Sequence, residues 1–502
     1  MRSTLAVLIL SLTLGLSLNA QTSRRAPDFS EVRRILVDGM AKDQATAAAF
    51  AVVRDGEIIW EDALGWADSV NGARATPNSP FLLASVNKTF ESTLAAVLSE
   101  RHRIDLDKPV NDYLRTTSVS SPAYDARLVT LRGLLMHMAG LSTFDLGCDT
   151  GRPVSECHLP SADELIHDYG IVARPPGDEF DYSNLGYFIS AQAMARVVGR
   201  PMHDVIRDEV LRPLGMTHSS IGLDSAEAQL VVVPNRWGRG LVREPVTRTS
   251  GYESSRGYAS AHDLALFGAF HLKAHRRDQL AILSDAAIDS MQNATVSAGT
   301  GQRYGLGWWI EDDRFGYRTV LAQGENDGAQ AWLRLIPSER VAVAVLVNKG
   351  IGFAELATDA ALAAMLPKYG EGLAAKQAAA ASVGSTPNAT SRRSLDSTLT
   401  GRWVGTVHAV GGKVPVELVI DSSGTVRAQI GARGDVGTAR FGAQLVIRIP
   451  GDLEAANPPG IQRQISLYLR PYNGGWGGVA TVRPPSATGL DGRVSYFVEI
   501  KR

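Results

Sequence analysis

The stretch Phe81–Lys88, which reads FLLASVNK, decides the fold of this chain. A short apolar run ends at Ser85, and after it apolar residues recur at helical spacing as far as about Arg101. Positions three apart share one face of a helix, so the Lys88 ammonium can reach the Ser85 hydroxyl. Free N–H groups and the positive end of the dipole at a helix start favour a developing anion. The pattern predicts a nucleophile with its own base, against the alternative of a capping serine beside a surface lysine.

A second group of polar residues follows Pro175–Gly177, where the chain reads Tyr182, Ser183, Asn184. A phenol beside a lysine amine can share its proton and act as acid or base. An asparagine amide can hold both a lysine and a substrate carbonyl. A buried tyrosine that only makes a hydrogen bond is the alternative, because such short motifs arise easily by chance.

Four segments of the chain resemble a known family in their sequence and in their order. They are residues 81–88, 129–141 (VTLRGLLMHMAGL), 175–187 and 304–309. Together they resemble the serine β-lactamase and penicillin-binding-protein superfamily, most closely its class C and esterase-like branch, over about residues 30–368. The resemblance implies an α+β fold of the β-lactamase/transpeptidase type, with an antiparallel sheet flanked by helices and a helical subdomain. It also implies that Ser85 is acylated, that Lys88 accepts its proton, that Tyr182 is the acid/base and that Asn184 orients Lys88 and the substrate.

The third motif of the family is where this sequence departs from the pattern. Members usually place Lys, His or sometimes Trp two positions before a glycine, whereas the register here gives Ala322, Gln323, Gly324. The resemblance then makes the N–H of Glu325 the second donor of the oxyanion hole, besides that of the nucleophile. The loss of a charge-assisted contact to a substrate carboxylate weakens binding of that substrate by roughly 10- to 100-fold. Gln323 could offer a neutral amide only if the strand register slips, which would also reverse the faces of the strand.

Composition excludes some classes of partner. The chain has 502 residues with 51 basic and 52 acidic side chains, a net charge of -1, so no overall basic field gathers nucleic acid. Cys148 and Cys157 lack the paired spacing of a zinc site, and we expect no metal and no cofactor. In an exported protein the two cysteines form a candidate disulfide, with two free thiols as the alternative.

The sequence divides into four parts. Residues 1–20 are typical of a signal peptide cleaved near Ala20, which predicts an exported periplasmic or extracellular protein without membrane insertion. We expect a hydrolase domain at 21–370 and a linker at 371–397, where Ala, Ser, Thr and Gly dominate. Alternating short runs at 398–502 predict an all-β sandwich or barrel. Its Gly401–Gly405 segment faintly resembles the start of a lipocalin-like barrel.

These observations predict an exported serine hydrolase that works through an acyl-enzyme at Ser85 on an ester, amide or peptide substrate. A slow β-lactamase or D-Ala carboxypeptidase is the first alternative, and a catalytically weak binding or scaffold protein is the second. His137, among apolar neighbours, is interpreted as a core residue, and so are Trp308 and Trp309. The partner is a small-molecule or peptide substrate, and the oligomeric state is left open.

Overall fold

The computed structural model describes most of the two predicted domains, with these residues: 27–142, 145–148, 160–221, 257–299, 301–326, 329–349, 352–382, 397–451, 453, 464–482 and 490–502. The predicted signal peptide at 1–20 lies outside the described residues, as do Cys157 and the side chain of Cys148. The signal peptide and the disulfide therefore stay predictions.

Helices occupy the first three quarters of the chain. In the described residues they are α1 (Ser30–Asp43), α2 (Asn87–Glu100), α3 (Asn111–Leu114), α4 (Leu131–Leu135), α5 (Ala162–Tyr169), α6 (Asn184–Val198), α7 (Met202–Ile206), α8 (Ala261–His271), α9 (Asp285–Asn293), α10 (Phe353–Met365) and α11 (Pro367–Ser382). A 3-10 turn at Ala84–Val86 runs directly into α2. The predicted helix after Ser85 is therefore confirmed, with its α-helical part beginning two residues later.

Strands form a first group before α10 and a second group after α11. The first group is β1 (Ala47–Arg54), β2 (Glu57–Asp68), β3 (Ala73–Arg74), β4 (Phe81–Leu82), β5 (Asp145–Cys148), β6 (Ser219–Ile221), β7 (Gly257–Ala259), β8 (Val296–Gly299), β9 (Gln302–Tyr304), β10 (Trp309–Arg314), β11 (Tyr317–Asn326), β12 (Ala329–Ile336) and β13 (Val341–Val347). The second group is β14 (Gly401–Ala409), β15 (Gly412–Ile420), β16 (Thr425–Ile430), β17 (Arg433–Phe441), β18 (Leu445–Pro450), β19 (Gln464–Tyr472), β20 (Gly475–Val482) and β21 (Leu490–Lys501).

A nine-stranded antiparallel sheet forms the centre of the first domain, in the order β3-β2-β1-β13-β12-β11-β10-β9-β8. Strand β1, the third in this order, is buried on both faces. Ala47, Ala49 and Ala51 face the core that contains α2 and α8, while Phe50 and Val52 face the core that contains α1 and α10. Because helices cover both faces, the central strands read as continuous apolar runs. This arrangement confirms the predicted α+β fold.

Asp55 and Gly56 form the turn of the β1–β2 hairpin. Both residues have positive φ, 52° and 85°, as a two-residue hairpin turn of the primed type requires. The hairpin pairs β1 with β2 and leaves the other edge of β1 for β13. The β1–β13 pairing brings the end of the domain back to its beginning.

The C-terminal domain is a closed barrel in which β14 to β21 pair in sequence and β14 also pairs with β21. Exposed and buried residues alternate along β16 and β18, as expected for strands with one face inside the barrel. The predicted choice between sandwich and barrel is thus decided by the β14–β21 pairing, which removes both sheet edges.

The first part of the predicted linker at 371–397 is helical. Helix α11 continues to Ser382, and Tyr369 at its beginning is fully buried. The Ala-rich composition that suggested a linker also has the highest helix propensity, and α11 packs against α10. Residues 383–396 lie outside the described residues.

Among the helices that the structure describes, none is both long enough and apolar enough to cross a lipid bilayer.

Candidate active site

Ser85 and Lys88 lie together at the start of α2. The 3-10 turn that holds Ser85 leads into the helix, so Lys88 follows one turn later and its Nζ donates to Ser85 Oγ at 3.2 Å. Both residues are half-buried. Ala84, just before the serine, has a φ of 47°, a left-handed conformation that costs energy for a residue with a Cβ. The chain thus presents the hydroxyl from a strained turn beside a basic group.

Tyr182 completes the predicted group from another part of the chain. Its hydroxyl donates to Ser85 Oγ at 2.8 Å, and Lys88 Nζ lies 4.9 Å from the centre of its ring. Ser183 accepts the N–H of Gly186 at 3.0 Å and so caps α6, which fixes the backbone next to Tyr182. The structure therefore brings Ser85, Lys88 and Tyr182 together, as the sequence predicted.

Gly324 on β11 lies directly against the Ser85 segment. A Cβ atom added to Gly324 would lie 2.2 Å from the carbonyl oxygen of Leu83 and 2.6 Å from the amide nitrogen of Ser85. Both neighbours are backbone atoms, so only glycine fits without moving the strand. The register of β11 on β12 is unbroken and pairs Gly324 with Ala331. Strand β11 therefore approaches the backbone of the Ser85 segment closely.

The third motif lacks a cation in the structure as in the sequence. Ala322 is buried, and by strand alternation it shares with Gly324 the face that packs on the Ser85 segment. Gln323 alternates with them and pairs with Trp332. Glu325 is exposed. The substrate contacts expected of Gln323, Gly324 and Glu325 stay predictions.

Asn184 is the predicted site residue whose expected contact is absent. It is the first residue of α6 and half-buried, but within the described residues its amide makes no hydrogen bond with Lys88. Its expected role in orienting Lys88 therefore has no support from this geometry, and its contact with a substrate stays a prediction.

The core interpretation of His137 is confirmed, and the structure also places this residue beside Tyr182. It is buried, its ring centre lies 4.2 Å from that of Tyr182, and its Nδ1 accepts the N–H of Ser183 at 3.0 Å. Its carbonyl oxygen accepts the N–H of Asp181 at 2.8 Å. Burial, helped by the charge of Lys88, holds the pKa of His137 well below its usual value, so the ring is neutral. His137 therefore secures the backbone on both sides of Tyr182.

Two substitutions of His137 test how much its hydrogen bond to Ser183 contributes to the stability of the fold. Asn places an acceptor near the position of Nδ1 and tolerates the φ of 59° at this site, whereas Leu removes the acceptor and leaves the buried N–H of Ser183 without a partner. We expect the free energy of unfolding of His137→Leu to be about 1–3 kcal/mol lower than that of His137→Asn. Urea unfolding of both variants measures the difference, and equal stabilities would contradict it.

Glu91 is a buried carboxyl one helical turn beyond Lys88. It is 1% exposed and accepts a hydrogen bond from Ser190 Oγ on α6. Burial raises its pKa to about 8, while the hydrogen bond from Ser190 and the charge of Lys88 oppose this shift. At pH 7 the carboxyl is therefore mostly protonated, which limits the charge buried behind the site.

The raised pKa of Glu91 predicts how stability varies with pH. Because the folded chain binds this proton up to pH of about 8 and the unfolded chain releases it near 4.5, the free energy of unfolding falls as pH rises between these values. The slope reaches at most about 1.4 kcal/mol per pH unit. Glu91→Gln removes this titration, so its stability should vary less with pH. Urea unfolding at steps from pH 6.5 to 8.5 measures both slopes.

The interval above pH 6.5 isolates Glu91 from the buried histidines. Burial lowers the pKa of His271 to about 3 and also lowers the pKa of His137. Because a histidine in the unfolded chain has a pKa of 6.5, these two residues reduce the free energy of unfolding only as the pH falls below 6.5. Glu371→Gln, which alters an exposed carboxyl, is the matched control and should keep the wild-type slope. A wild-type slope retained in Glu91→Gln would contradict the assignment.

Aromatic side chains border the site next to Tyr182. The ring of Trp309 is nearly parallel to that of Tyr182, with centres 6.3 Å apart, and Phe180 lies 5.6 Å from Trp309. Phe180 and Trp309 are half-buried, whereas Trp308 is fully buried. The core interpretation is confirmed for Trp308, but Trp309 belongs to the wall of the site. Trp308 lies just before β10, which begins at Trp309, so only the folded chain separates the two residues.

Comparison with known proteins gives consistent results. The family model described as Beta-lactamase matches residues 32–366. Penicillin-binding protein 4 of Amycolatopsis lactamdurans is 29% identical over 316 residues, which are 61% of this chain and 81% of that protein. The unguisins hydrolase ungD' of Aspergillus campestris is 27% identical over 346 residues, 64% of this chain and 61% of that protein.

Two solved structures resemble the fold. The octameric penicillin-binding protein homologue from Pyrococcus abyssi has a TM-score of 0.60 at 19% identity, covering 94% of this chain and all (100%) of that one. A class C beta-lactamase has a TM-score of 0.56 at 16% identity, covering 66% of this chain and 95% of that one. The first similarity is long enough to include the C-terminal barrel, whereas the second corresponds in length to the first domain.

Proposed function

Since this chain belongs to the beta-lactamase family, whose members are serine hydrolases, we propose that it hydrolyses an ester, amide or peptide through an acyl-enzyme at Ser85. One observation carries the proposal. Ser85 Oγ lies within hydrogen-bond distance of two groups that can pass protons during the reaction, Lys88 Nζ at 3.2 Å and the Tyr182 hydroxyl at 2.8 Å. Such a cluster around one hydroxyl is the arrangement that nucleophilic catalysis needs.

The proposed reaction has two halves. Ser85 Oγ attacks the substrate carbonyl carbon while its proton passes to Lys88, and the carbonyl becomes an oxyanion. The bond to the leaving group then breaks as Tyr182 gives that group a proton, and an ester of Ser85 remains. Water next attacks this ester and passes a proton to Tyr182, while the proton held by Lys88 returns to the serine oxygen as it leaves. Each group thus returns to its starting state.

The space between Gly324 and Ser85 is the proposed oxyanion hole. The N–H of Ser85 is one donor, and the N–H of Glu325, which follows Gly324 on β11, is the other. Because an oxyanion needs donors close together and free of side chains, the lack of a Cβ at position 324 supports this arrangement.

The site favours a substrate without a carboxylate beside the scissile bond. Ala322 supplies no cation there, and a charge-assisted contact is worth roughly 10- to 100-fold in binding. The half-buried rings of Phe180 and Trp309 offer apolar surface next to Tyr182 instead. We therefore propose an esterase or aminopeptidase-like activity ahead of a slow β-lactamase or D-Ala carboxypeptidase.

Three probes test the proposal on the mature protein. A fluorophosphonate, a fluorescent penicillin and a short-chain nitrophenyl ester are each incubated with it, and intact mass, the labelled peptide and turnover are recorded. We expect fluorophosphonate on the peptide that contains Ser85, and ester turnover without a lasting penicillin adduct. Rapid penicillin turnover would favour the β-lactamase alternative, and no labelling or turnover would leave only a binding or scaffold role.

We also propose that the protein is exported and that residues 1–20 are removed. The apolar run that ends before Ala20 supports this proposal. The intact mass of protein recovered from the periplasm or medium tests it. Protein that keeps its first 20 residues and stays in the cytoplasm would contradict it.

A further inference from the structure

The segment that leads into Tyr182 is held by an internal set of charges. The Arg174 guanidinium forms ion pairs with Glu179 and, at 3.0 Å, with Asp181, the residue directly before the tyrosine. The side chains of Arg174, Glu179 and Asp181 are 12%, 23% and 18% exposed. In such a partly buried setting the charges are screened less than on the surface. We call residues 174–181 the tyrosine segment.

The C-terminal barrel contributes one more charge to this set. Arg470, on β19, forms an ion pair with Glu179, which thereby lies between two guanidinium groups. Sequence separation hides this contact, because Arg470 and Glu179 belong to different domains. Continuous ionic contact thus runs from the barrel through Glu179 and Arg174 to Asp181.

Apolar contacts fix the barrel in place next to this charge. Tyr124 of the first domain lies between two aromatic residues of the barrel, with ring centres 5.9 Å from Tyr472 and 6.1 Å from Phe497. Ala173, directly before the tyrosine segment, packs in the same cluster. Strand β5 also pairs with β21, so the two domains share backbone hydrogen bonds. Arg470 is therefore presented from a firmly docked surface.

We propose that the barrel is a positioning element of the active site, in which Arg470 holds Glu179 and so keeps Tyr182 within hydrogen-bond distance of Ser85. This inference rests on the proposed function, because it assigns the barrel a role in that same reaction. Arg470 touches neither substrate nor Ser85, so it acts only through the tyrosine segment. Since a displacement of about 1 Å can cost roughly 100-fold in rate, a partial loosening should be measurable.

Arg470→Gln tests the proposal with the full-length protein. We expect kcat for the nitrophenyl ester to fall roughly 5- to 20-fold while KM changes less than about twofold, because the change affects the acid/base and not the binding surface. Glu179→Gln should give a similar loss, and the double variant no more than the larger single loss, because both act through one contact. Arg470→Lys, which keeps the charge, should recover most of kcat.

A second measurement does not depend on activity. Amide hydrogen exchange in residues 174–183 should become faster in Arg470→Gln, because the segment loses one of its anchors. Arg427→Gln, which alters an exposed arginine on β16 of the same barrel, is the matched control and should change neither exchange nor kcat.

The outcomes separate this inference from the proposed function. If the wild-type protein turns over the ester but Arg470→Gln keeps its kcat within twofold, the positioning role is wrong and the hydrolase proposal stands. If exchange in residues 174–183 is unchanged in Arg470→Gln, the positioning role is also wrong. If the wild-type protein neither turns over the ester nor reacts with fluorophosphonate, the proposed function fails, and exchange alone decides whether the barrel anchors the segment.

Discussion

Lys88→Ala and Tyr182→Phe should each lower ester turnover by about 100- to 10,000-fold, and the double variant should be no slower than the slower single variant. Both groups contact the same atom, Ser85 Oγ, at 3.2 Å and 2.8 Å. Because attack needs the proton transfer to Lys88 and departure of the leaving group needs the transfer from Tyr182, removal of either group interrupts the whole path, and removal of the other then costs little. Losses that multiply would show instead that the two groups act independently.

The comparison of these variants needs an inactive reference variant and two matched controls. Ser85→Ala gives the background rate of turnover, because it removes the oxygen proposed to attack the substrate, and it should also prevent fluorophosphonate labelling. Lys376→Ala and Tyr317→Phe change the same residue types away from the site and should keep wild-type turnover. The rates are compared at saturating ester, and unfolding in urea confirms that each variant is folded. Turnover that persists in Ser85→Ala would mean that another nucleophile acts.

Gly324→Ala should lower turnover about 100- to 1,000-fold, the range for loss of one oxyanion donor. The added Cβ would lie 2.6 Å from the nitrogen of Ser85, inside the space where the substrate oxygen would sit. It would also lie 2.2 Å from the carbonyl oxygen of Leu83, which cannot rotate away as a flexible side chain could. The strand must therefore move away from the nucleophile, which separates the two N–H donors.

The control for Gly324→Ala is Gly442→Ala, because an added Cβ there would meet nothing within 4 Å. Both turnover and the rate of fluorophosphonate labelling are measured, since the phosphonyl oxygen occupies the same space. We expect both to fall in Gly324→Ala and neither to change in Gly442→Ala. Turnover within threefold of wild type in Gly324→Ala would place the oxyanion elsewhere.

Local patterns in the sequence led to the fold and to most of the candidate site. The helix after Ser85 and the alternation in the C-terminal strands are properties of neighbouring residues, and the structure confirms both of them. Ser85 and Lys88 could be paired for the same reason, because helical spacing fixes their distance. Gly324 was found by its order relative to the other motifs.

Residues that act through distant contacts were missed or given another role. His137 reads as an apolar-core histidine, and only the folded chain places its Nδ1 on the N–H of Ser183. Trp308 and Trp309 have similar sequence surroundings, yet the folded chain buries Trp308 in the core and places Trp309 beside Tyr182. Ala-rich residues after Glu371 read as a linker, although the same composition continues α11. In each case the deciding neighbour lies far away in sequence or in the next element.

The sequence by itself determined the pairing of Ser85 with Lys88 and the family, because these depend on residue types at short spacing within a recognisable order of motifs. Only the tertiary structure decided that Tyr182 reaches Ser85, that Glu91 is buried behind Lys88 and that Arg470 of the barrel meets Glu179. The physical reason is that hydrogen bonds, desolvation and ion pairs act over a few ångströms in space. Chain separation does not limit them, and spacing along the sequence does not reveal them.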